Sequence, residues 1–252
     1  MKTAVITGAS AGLGLEFVRQ LEGAFPDVEC VWLISRSREK LEAAAALLGR
    51  ARAKVLPLDL CDEGSFETLS ALLAAEKPEV RLLVNNAGCG YLGSIGETGH
   101  RTQTRMVDLN VRAMTAVTEL VVPYMTEGGR IINLSSIASF CPNPRMTVYS
   151  STKAYVSSFN RGLSVELAPR GIKATAVCPG PMDTEFLDVG GIAGNSKTFD
   201  VLPYCDPARV AAGAYAASKA GRVVYTPRGF YKFYRVLAKL LPQRLMINFT
   251  KT

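Results

Sequence analysis

Histidine is almost absent from this chain: His100 is the only one in 252 residues. The six cysteines (Cys30, Cys61, Cys89, Cys141, Cys178 and Cys205) contain no C-x-x-C pair and have no histidine cluster beside them, so no Cys/His metal site is expected. Several sit in apolar strand-like runs, as Cys30 does before Val31-Trp32-Leu33-Ile34. Buried, reduced thiols are the expectation, and they fit a cytoplasmic protein. No apolar run reaches the ~18 residues that would suggest a spanning helix. The chain opens on a strand and a glycine turn, which does not read as a signal peptide. Acidic residues are missing from one region only. From Gly221 onward there are seven basic residues (Arg222, Arg228, Lys232, Arg235, Lys239, Arg244, Lys251) and no acidic one. The net charge of +7 is therefore the charge of this stretch, and the rest of the chain balances. A nucleic-acid-binding domain would spread basic charge over its body, so no nucleic-acid partner is expected.

What is present is a globular composition, 48% apolar and 20% charged, at a length that suits one large α/β domain. Lys2-Thr3-Ala4-Val5-Ile6-Thr7 reads as a buried strand. It leads into Gly8-Ala9-Ser10-Ala11-Gly12-Leu13-Gly14 and then a helix through Phe17, Val18 and Leu21. A strand, a glycine-rich turn and a helix make a phosphate cradle, in which N–H groups at the helix start face an anion and glycines let the backbone approach it. A second strand, Glu29 to Ile34, ends at Ser35-Arg36-Ser37-Arg38. Ser37 is a candidate N-cap, and Gly49 is expected to close the helix that follows. An acidic residue at the end of this strand would bind a 2′-hydroxyl. Arg36 stands there instead, and a guanidinium suits a 2′-phosphate, so NADP(H) is favoured and NAD(H) remains possible.

A third strand over Ala53–Leu58 ends at Asp59-Leu60, with Asp62 as a candidate cap for the next helix. A fourth, Val80–Val84, runs into Asn85-Asn86-Ala87-Gly88, where small residues let a ring or ribose lie against the backbone. A long helix passes Asn110 and reaches about Tyr124, and Gly128-Gly129 are expected to turn the chain into the strand before Ser136. A helix containing Tyr149 stops at Pro169. A sixth strand over Ile172–Val177 leads to Pro179-Gly180. Residues 181–205 read as a mobile segment with a short helix over the substrate end of the site. Asp206-Pro207 start another helix, Gly221 ends it, and Arg222–Tyr225 is a short last strand. This alternation predicts one doubly wound parallel sheet in a three-layer α/β/α arrangement, a single domain over 1–252. Gly8, Arg36, Asp59, Asn86, Ser136 and Pro179 all follow strand ends, so right-handed crossovers place them on one rim. In the tail, 226–252, Phe230, Phe233, Tyr234, Leu237 and Leu241 share a helical face. Packing on the body or on another subunit is the preferred reading, ahead of an anionic membrane surface.

Tyr149 and Lys153 lie four residues apart, on one face of a helix. A phenol near pKa ~10 is protonated at neutral pH, and an ammonium beside it would stabilise the phenolate. Moving the phenol to ~7 takes about 4 kcal/mol of differential stabilisation. Such a tyrosine can serve as a general acid or base. Ser136 lies thirteen residues upstream, at the end of a buried strand.

Together these residues resemble the short-chain dehydrogenase/reductase family over nearly the whole chain. Thr7-Gly8-Ala9-Ser10-Ala11-Gly12-Leu13-Gly14 is similar to its TGxxxGxG turn and Asn85-Asn86-Ala87-Gly88 to its NNAG motif. Asn110, Ser136, Tyr149 and Lys153 match its four catalytic positions, Asp59 its adenine-touching residue, and Pro179-Gly180 with Thr184 its PGxxxT segment. The resemblance implies a Rossmann fold and hydride transfer between a nicotinamide and a ketone/secondary alcohol pair. Tyr149 would donate the proton and Ser136 would hydrogen-bond the oxygen. Lys153 would lower the phenol pKa and hold the ribose, and Asn110 would hold a water. The implied cofactor contacts are Gly8, Ser10, Gly12, Leu13, Gly14, Arg36, Asp59, Leu60, Asn86, Ala87, Gly88, Tyr149, Lys153, Pro179, Gly180 and Thr184. Two departures stand out: Ser139 replaces a frequent glycine, and the first turn carries Ser10-Ala11 where NADP-preferring members often have a basic residue. The expected substrate is a lipophilic ketone such as a 3-oxoacyl thioester. A steroid-type ketone is one alternative, and a non-catalytic dinucleotide sensor is another from a different class. The resemblance also suggests a homodimer or homotetramer built through the helices containing Asn110 and Tyr149.

Overall fold

The structure is a computed structural model that describes residues 1–250, apart from the side chains of Lys197 and Phe249; Lys251 of the basic tail lies outside it. The chain runs β1 (Lys2–Thr7), α1 (Gly12–Ala24), β2 (Cys30–Ser35), α2 (Arg38–Ala45), β3 (Arg52–Pro57), α3 (Glu63–Glu76) and β4 (Glu79–Asn85). It continues through α4 (His100–Val107), a π-helical segment (Asp108–Ala113), α5 (Met114–Val121), β5 (Met125–Leu134), α6 (Thr147–Glu166) and β6 (Lys173–Val177). The last elements are α7 (Glu185–Val189), α8 (Lys197–Val201), α9 (Pro207–Lys219), β7 (Val224–Tyr225), α10 (Gly229–Leu240) and α11 (Gln243–Phe249).

The seven strands form one sheet in the order β3-β2-β1-β4-β5-β6-β7, every pair parallel. Residue alternation along each strand sends side chains to opposite faces. Ala4 and Ile6 enter a core shared with Phe17 and Leu21 of α1 and Tyr215 of α9. Val5, between them, enters a second core with Leu69 and Leu73 of α3, Val117 of α5 and Leu163 of α6. Both faces are covered, which is why these strands read as continuous apolar runs. The register sets Thr7 beside Ile34 and Asn85, and Asn85 beside Asn133, so the C-terminal strand ends fall level along one rim. The strand order reverses between β1 and β4, where a doubly wound sheet opens its ligand crevice.

Local chemistry explains the helix starts. The Ser37 hydroxyl accepts from Lys40 N at 3.2 Å, and an Asp206 carboxylate oxygen accepts from Ala208 N at 2.8 Å, ahead of Pro207 in the first turn. Asp62 occupies the N-cap position of α3 without making a side-chain cap bond. Other boundaries move. Helix α2 ends at Ala45 rather than at Gly49, whose N–H is instead taken by the Glu22 carboxylate at 3.1 Å. Gly128 and Gly129 do not precede β5 but lie within it, at a register irregularity against β4. The last strand shrinks to Val224–Tyr225, and the segment 181–205 holds two short helices rather than one.

A chain of buried asparagines ties the second core's helices to the sheet. Asn85 Nδ2 donates to Asn133 Oδ1 at 2.8 Å and to Thr118 Oγ1 at 2.9 Å. Asn133 Nδ2 donates to Asn160 Oδ1 at 3.0 Å, and Asn160 Nδ2 donates to Val223 O at 2.9 Å. Asn133 and Asn160 are fully buried, so a lost partner is not replaced by water. Asn133→Ala removes a partner from both neighbouring asparagines and is expected to lower the unfolding free energy by about 2–4 kcal/mol. Urea titration with an unchanged denaturant slope would show this, and a loss within experimental error would remove the chain from the account of stability.

Candidate active site

The glycine turn lies at the β1/β4 crevice. Gly8 and Gly12 take positive φ (65° and 50°), a conformation that glycine adopts at no steric cost. Gly14 packs so close to the Gly8 carbonyl that a methyl group there would overlap it. Helix α1 starts at Gly12 with no side-chain cap and no acidic residue in its first turn, leaving its N–H groups free to face an anion. These features fit a dinucleotide's phosphates. The Thr7 hydroxyl clips the two sides of the crevice together: it donates to Val84 O (3.3 Å) and accepts from Asn86 N (3.0 Å) and Ala87 N (3.1 Å). Asn86 spends its side-chain amide on Thr7 O and Gly8 O at 3.2 and 3.0 Å, so its visible work is to shape the turn.

Beside this crevice, α6 lies against the end of β5. Lys153 Nζ donates to Leu134 O at 2.8 Å, and Ser135 Oγ donates to Lys153 O at 2.8 Å. One helical turn above, the Ser136 hydroxyl lies near the Tyr149 phenol and favours its ionised form, while accepting from Ala138 N at 3.1 Å. The Lys153 ammonium lies 5.8 Å from the centre of the Tyr149 ring. Asn110 sits in the π-helical segment, a local widening that recurs at functional sites. Its Oδ1 accepts from Cys89 N at 2.9 Å, and its Nδ2 donates to Cys89 O at 2.8 Å and to Thr152 Oγ1 at 3.0 Å. Asn110 thereby clamps the loop after Gly88 to the helix carrying Tyr149 and Lys153. A side chain at Gly88 would run against Asn110 Oδ1 (3.0 Å) and Lys153 Nζ (3.4 Å), so the backbone stays bare there.

Burial sets the ionisation of the pair. It pushes the Tyr149 phenol up to about 12, opposed by the Ser136 hydroxyl, and brings the Lys153 ammonium down to about 8. Desolvation is the first cause of both shifts. Cys89, close to Lys153, is pushed up to about 11 by burial, so its thiol stays protonated at neutral pH.

Over Tyr149 lies a third apolar cluster, made of Met106, Met146, Leu187 and Ile192 with Phe186 at its edge. The Tyr149 and Phe186 rings are 5.8 Å apart, and Leu92 N donates to Gly190 O at 3.0 Å. The segment 181–205 thus closes over the tyrosine, and Thr184, at its start, touches Gly12. Pro179-Gly180 is held from behind by α10. The Tyr231 hydroxyl donates to Pro203 O at 2.7 Å, and its ring fills the space that a Gly180 side chain would need. Tyr231, Thr152 and Ser135 carry no motif signal; only the spacing along α6 could have pointed to Thr152.

The adenosine end is looser. Arg36 is exposed and has no hydrogen bond or ion pair among the described residues, whereas Arg38 is 3.8 Å from Glu42. An Asp59 carboxylate oxygen accepts from Cys61 N at 3.0 Å and lies 3.6 Å from Arg105, a residue not singled out from the sequence. Leu60 is buried in the second core, Leu13 in the first, and Ser10 stays half-buried in the turn. All six cysteines are free, no group of three metal-ligating side chains occurs among the described residues, and none of their helices is long and apolar enough to cross a membrane.

Comparison with known proteins gives consistent results. A family model described as short chain dehydrogenase matches residues 2–189. An uncharacterized oxidoreductase from Staphylococcus aureus (strain USA300) is 32% identical over 187 residues, 73% of this chain and 79% of the relative. A short-chain dehydrogenase from Sphingobium yanoikuyae in complex with NADPH superposes with a TM-score of 0.80 at 25% identity, covering 96% of this chain and 97% of that one. A bulky-bulky ketone specific alcohol dehydrogenase from Comamonas testosteroni superposes with a TM-score of 0.76 at 25% identity, covering 98% and 94%.

The buried lysine predicts a pH signature. Lys153 loses its proton at about 8 when folded, against an ordinary value of 10.5, so between those values the unfolded chain binds more protons and stability rises with pH. The stability advantage of wild type over Lys153→Met is expected to grow between pH ~8 and ~10. A flat difference in urea titrations across that range would show that the ammonium is not desolvated.

Proposed function

Because the chain belongs to the short-chain dehydrogenase family, an NAD(P)-dependent oxidoreductase lineage, we propose that it reduces a lipophilic ketone to a secondary alcohol with NADPH, at the site formed by Ser136, Tyr149 and Lys153. The observation that carries this reading is Tyr149 set 5.8 Å from the buried Lys153 ammonium, with Ser136 near its phenol, beneath an apolar lid. A reduced nicotinamide dinucleotide, its phosphates held by the glycine turn, would supply the hydride for the carbonyl carbon. Ser136 and Tyr149 hold the carbonyl oxygen through their hydroxyls, and the phenol donates its proton as that oxygen becomes basic. A phenol held at about 12 is fully protonated beforehand, and the Lys153 charge is then available to the phenolate left behind. Asn110 fixes the Cys89 peptide and, through Thr152, the height of α6. Gly8, Gly12, Gly14, Asn86, Ala87 and Gly88 shape the cofactor bed, and Thr184 and Pro179-Gly180 close it from the lid side.

Two features bear on specificity. Arg36 stands unpaired at the end of β2 with no carboxylate beside it, which favours a 2′-phosphate and hence NADPH over NADH. The lid over Tyr149 is built on buried Met106, Met146, Leu187 and Ile192, and Phe186, only partly buried at its edge, leaves an apolar side chain beside the phenol, as a long acyl chain or a steroid would require. A 3-oxoacyl thioester is the leading substrate. The similarity to an enzyme described as specific for bulky-bulky ketones favours keeping a steroid-type ketone beside it. A homodimer or homotetramer through α4 to α6 is supported by exposed apolar side chains there, among them Val107, Tyr155 and Val165.

The test is NADPH oxidation with 3-oxoacyl thioesters, steroid ketones and small ketones, read against Tyr149→Phe. Turnover is expected on the lipophilic members and to fall at least ~100-fold in the variant, since acid catalysis contributes roughly 10²–10⁴. Activity retained in Tyr149→Phe would remove the phenol as proton donor. Arg36→Asp is expected to raise the KM for NADPH about 10- to 100-fold while sparing NADH, the range of a lost charged hydrogen bond. Equal effects on both cofactors would end the case for Arg36.

A further inference from the structure

Helix α10 presents two faces of opposite use. Tyr231 points inward and is fully buried, with Tyr234 against Phe140 at 6.1 Å. Of the residues expected to share a packed face, Tyr234 and Leu237 are partly buried, but Phe230, Phe233 and Leu241 are exposed on this chain. Phe230, Phe233, Val236 and Leu240 recur at helical spacing and are exposed by 54, 62, 50 and 73%. The helix is turned this way because Tyr231 anchors it on Gly180 and Pro203. The ridge continues past the helix end through Leu241 and Leu245, both exposed. Lys232 and Lys239, one face round from the ridge, and Arg244 in α11 are exposed, and none of the three forms an ion pair among the described residues. No acidic residue occurs anywhere from Gly221 onward.

We propose that α10 and the start of α11 dock this protein on an anionic phospholipid surface. An exposed ridge of phenylalanine and leucine beside lysines with long methylene stems suits the boundary between acyl chains and headgroups, with the ammonium groups reaching the phosphates. Charge argues against a second copy. A two-fold contact would set the same basic patch against itself with no carboxylate between, and the apolar side chains that suit self-association lie elsewhere, on α4 and α6. The same helices touch the substrate end of the rim. Tyr231 packs on Gly180, Arg228 donates to Tyr204 O at 2.5 Å, and Thr250 Oγ1 donates to Pro142 O at 3.0 Å, in the loop before the Tyr149 helix. Docking through them brings the lid segment and that loop towards the lipid, where an apolar substrate dissolves. This inference does not depend on the reaction proposed above.

The test is co-sedimentation of the full chain with phosphatidylcholine vesicles, with and without phosphatidylserine, at low and high salt. Binding is expected on the anionic vesicles at low salt and is expected to weaken as salt rises. Lys232→Gln with Lys239→Gln should lower the partition coefficient about 25-fold, at about fivefold per charge. Phe233→Ser with Leu240→Ser should lower it at least ~10-fold. All four side chains are exposed, so unchanged thermal unfolding and unchanged NADPH binding would separate these effects from misfolding. No binding at low salt would overturn the proposal, as would wild-type binding by both double variants. So would sedimentation velocity, without vesicles, showing that the serine variant breaks an oligomer or releases a protein partner.

Discussion

A single hydrogen bond, from the Lys153 ammonium to the Leu134 carbonyl, sets the geometry on which the site depends. A buried ammonium is costly unless an acceptor meets it, and here the acceptor is the last carbonyl of β5. That contact sets how far along the strand α6 can sit. Three neighbours reinforce the setting: Ser135 Oγ on Lys153 O, Ser135 with Ser157 at 2.8 Å, and Asn133 with Asn160. With the helix so placed, Tyr149 can only come up beside Ser136, which directly follows Ser135 at the strand end. The positions of Tyr149 and Ser136 thus follow from where a lysine can tolerate burial.

What closes over the pair is apolar rather than ionic. The one ion pair between lid and body among the described residues, Lys40 with Glu185 at 3.1 Å, is exposed on both sides and of a kind worth about 0–1 kcal/mol. Leu187 and Ile192, nearly or wholly buried over Tyr149, contribute more, on the order of 1.5–3 kcal/mol each. Such a cover desolvates the phenol, and burial raises its pKa, so its proton is held in place at neutral pH.

The sheet and the rim were legible because their signals are periodic and covalent. Continuous apolar strands, the glycines at 8, 12 and 14, and the Tyr149–Lys153 spacing each translate into geometry without knowledge of distant contacts. The misreadings came where two distant segments meet. Gly49 looked like a helix stop until Glu22 was seen to claim its N–H. Phe230 and Phe233 looked like packing residues because helical spacing marks a face but not its direction, and the direction is set by Tyr231 meeting Gly180. Asn110 was legible as important, but its clamp on the Cys89 peptide depends on a π-helical turn that spacing does not reveal. The burial of Tyr149 was not legible for the same reason: it belongs partly to the lid, which the sequence places only loosely.

The close fit of Gly180 to Tyr231 ties two positions far apart in the chain into one volume. Neither can change size alone: a larger residue at 180 needs a smaller one at 231, and a smaller one at 231 leaves a hole behind the loop. Across descendants of this chain the two sites would drift together or not at all, a matched pair of letters recording where the last long helix leans on the catalytic rim.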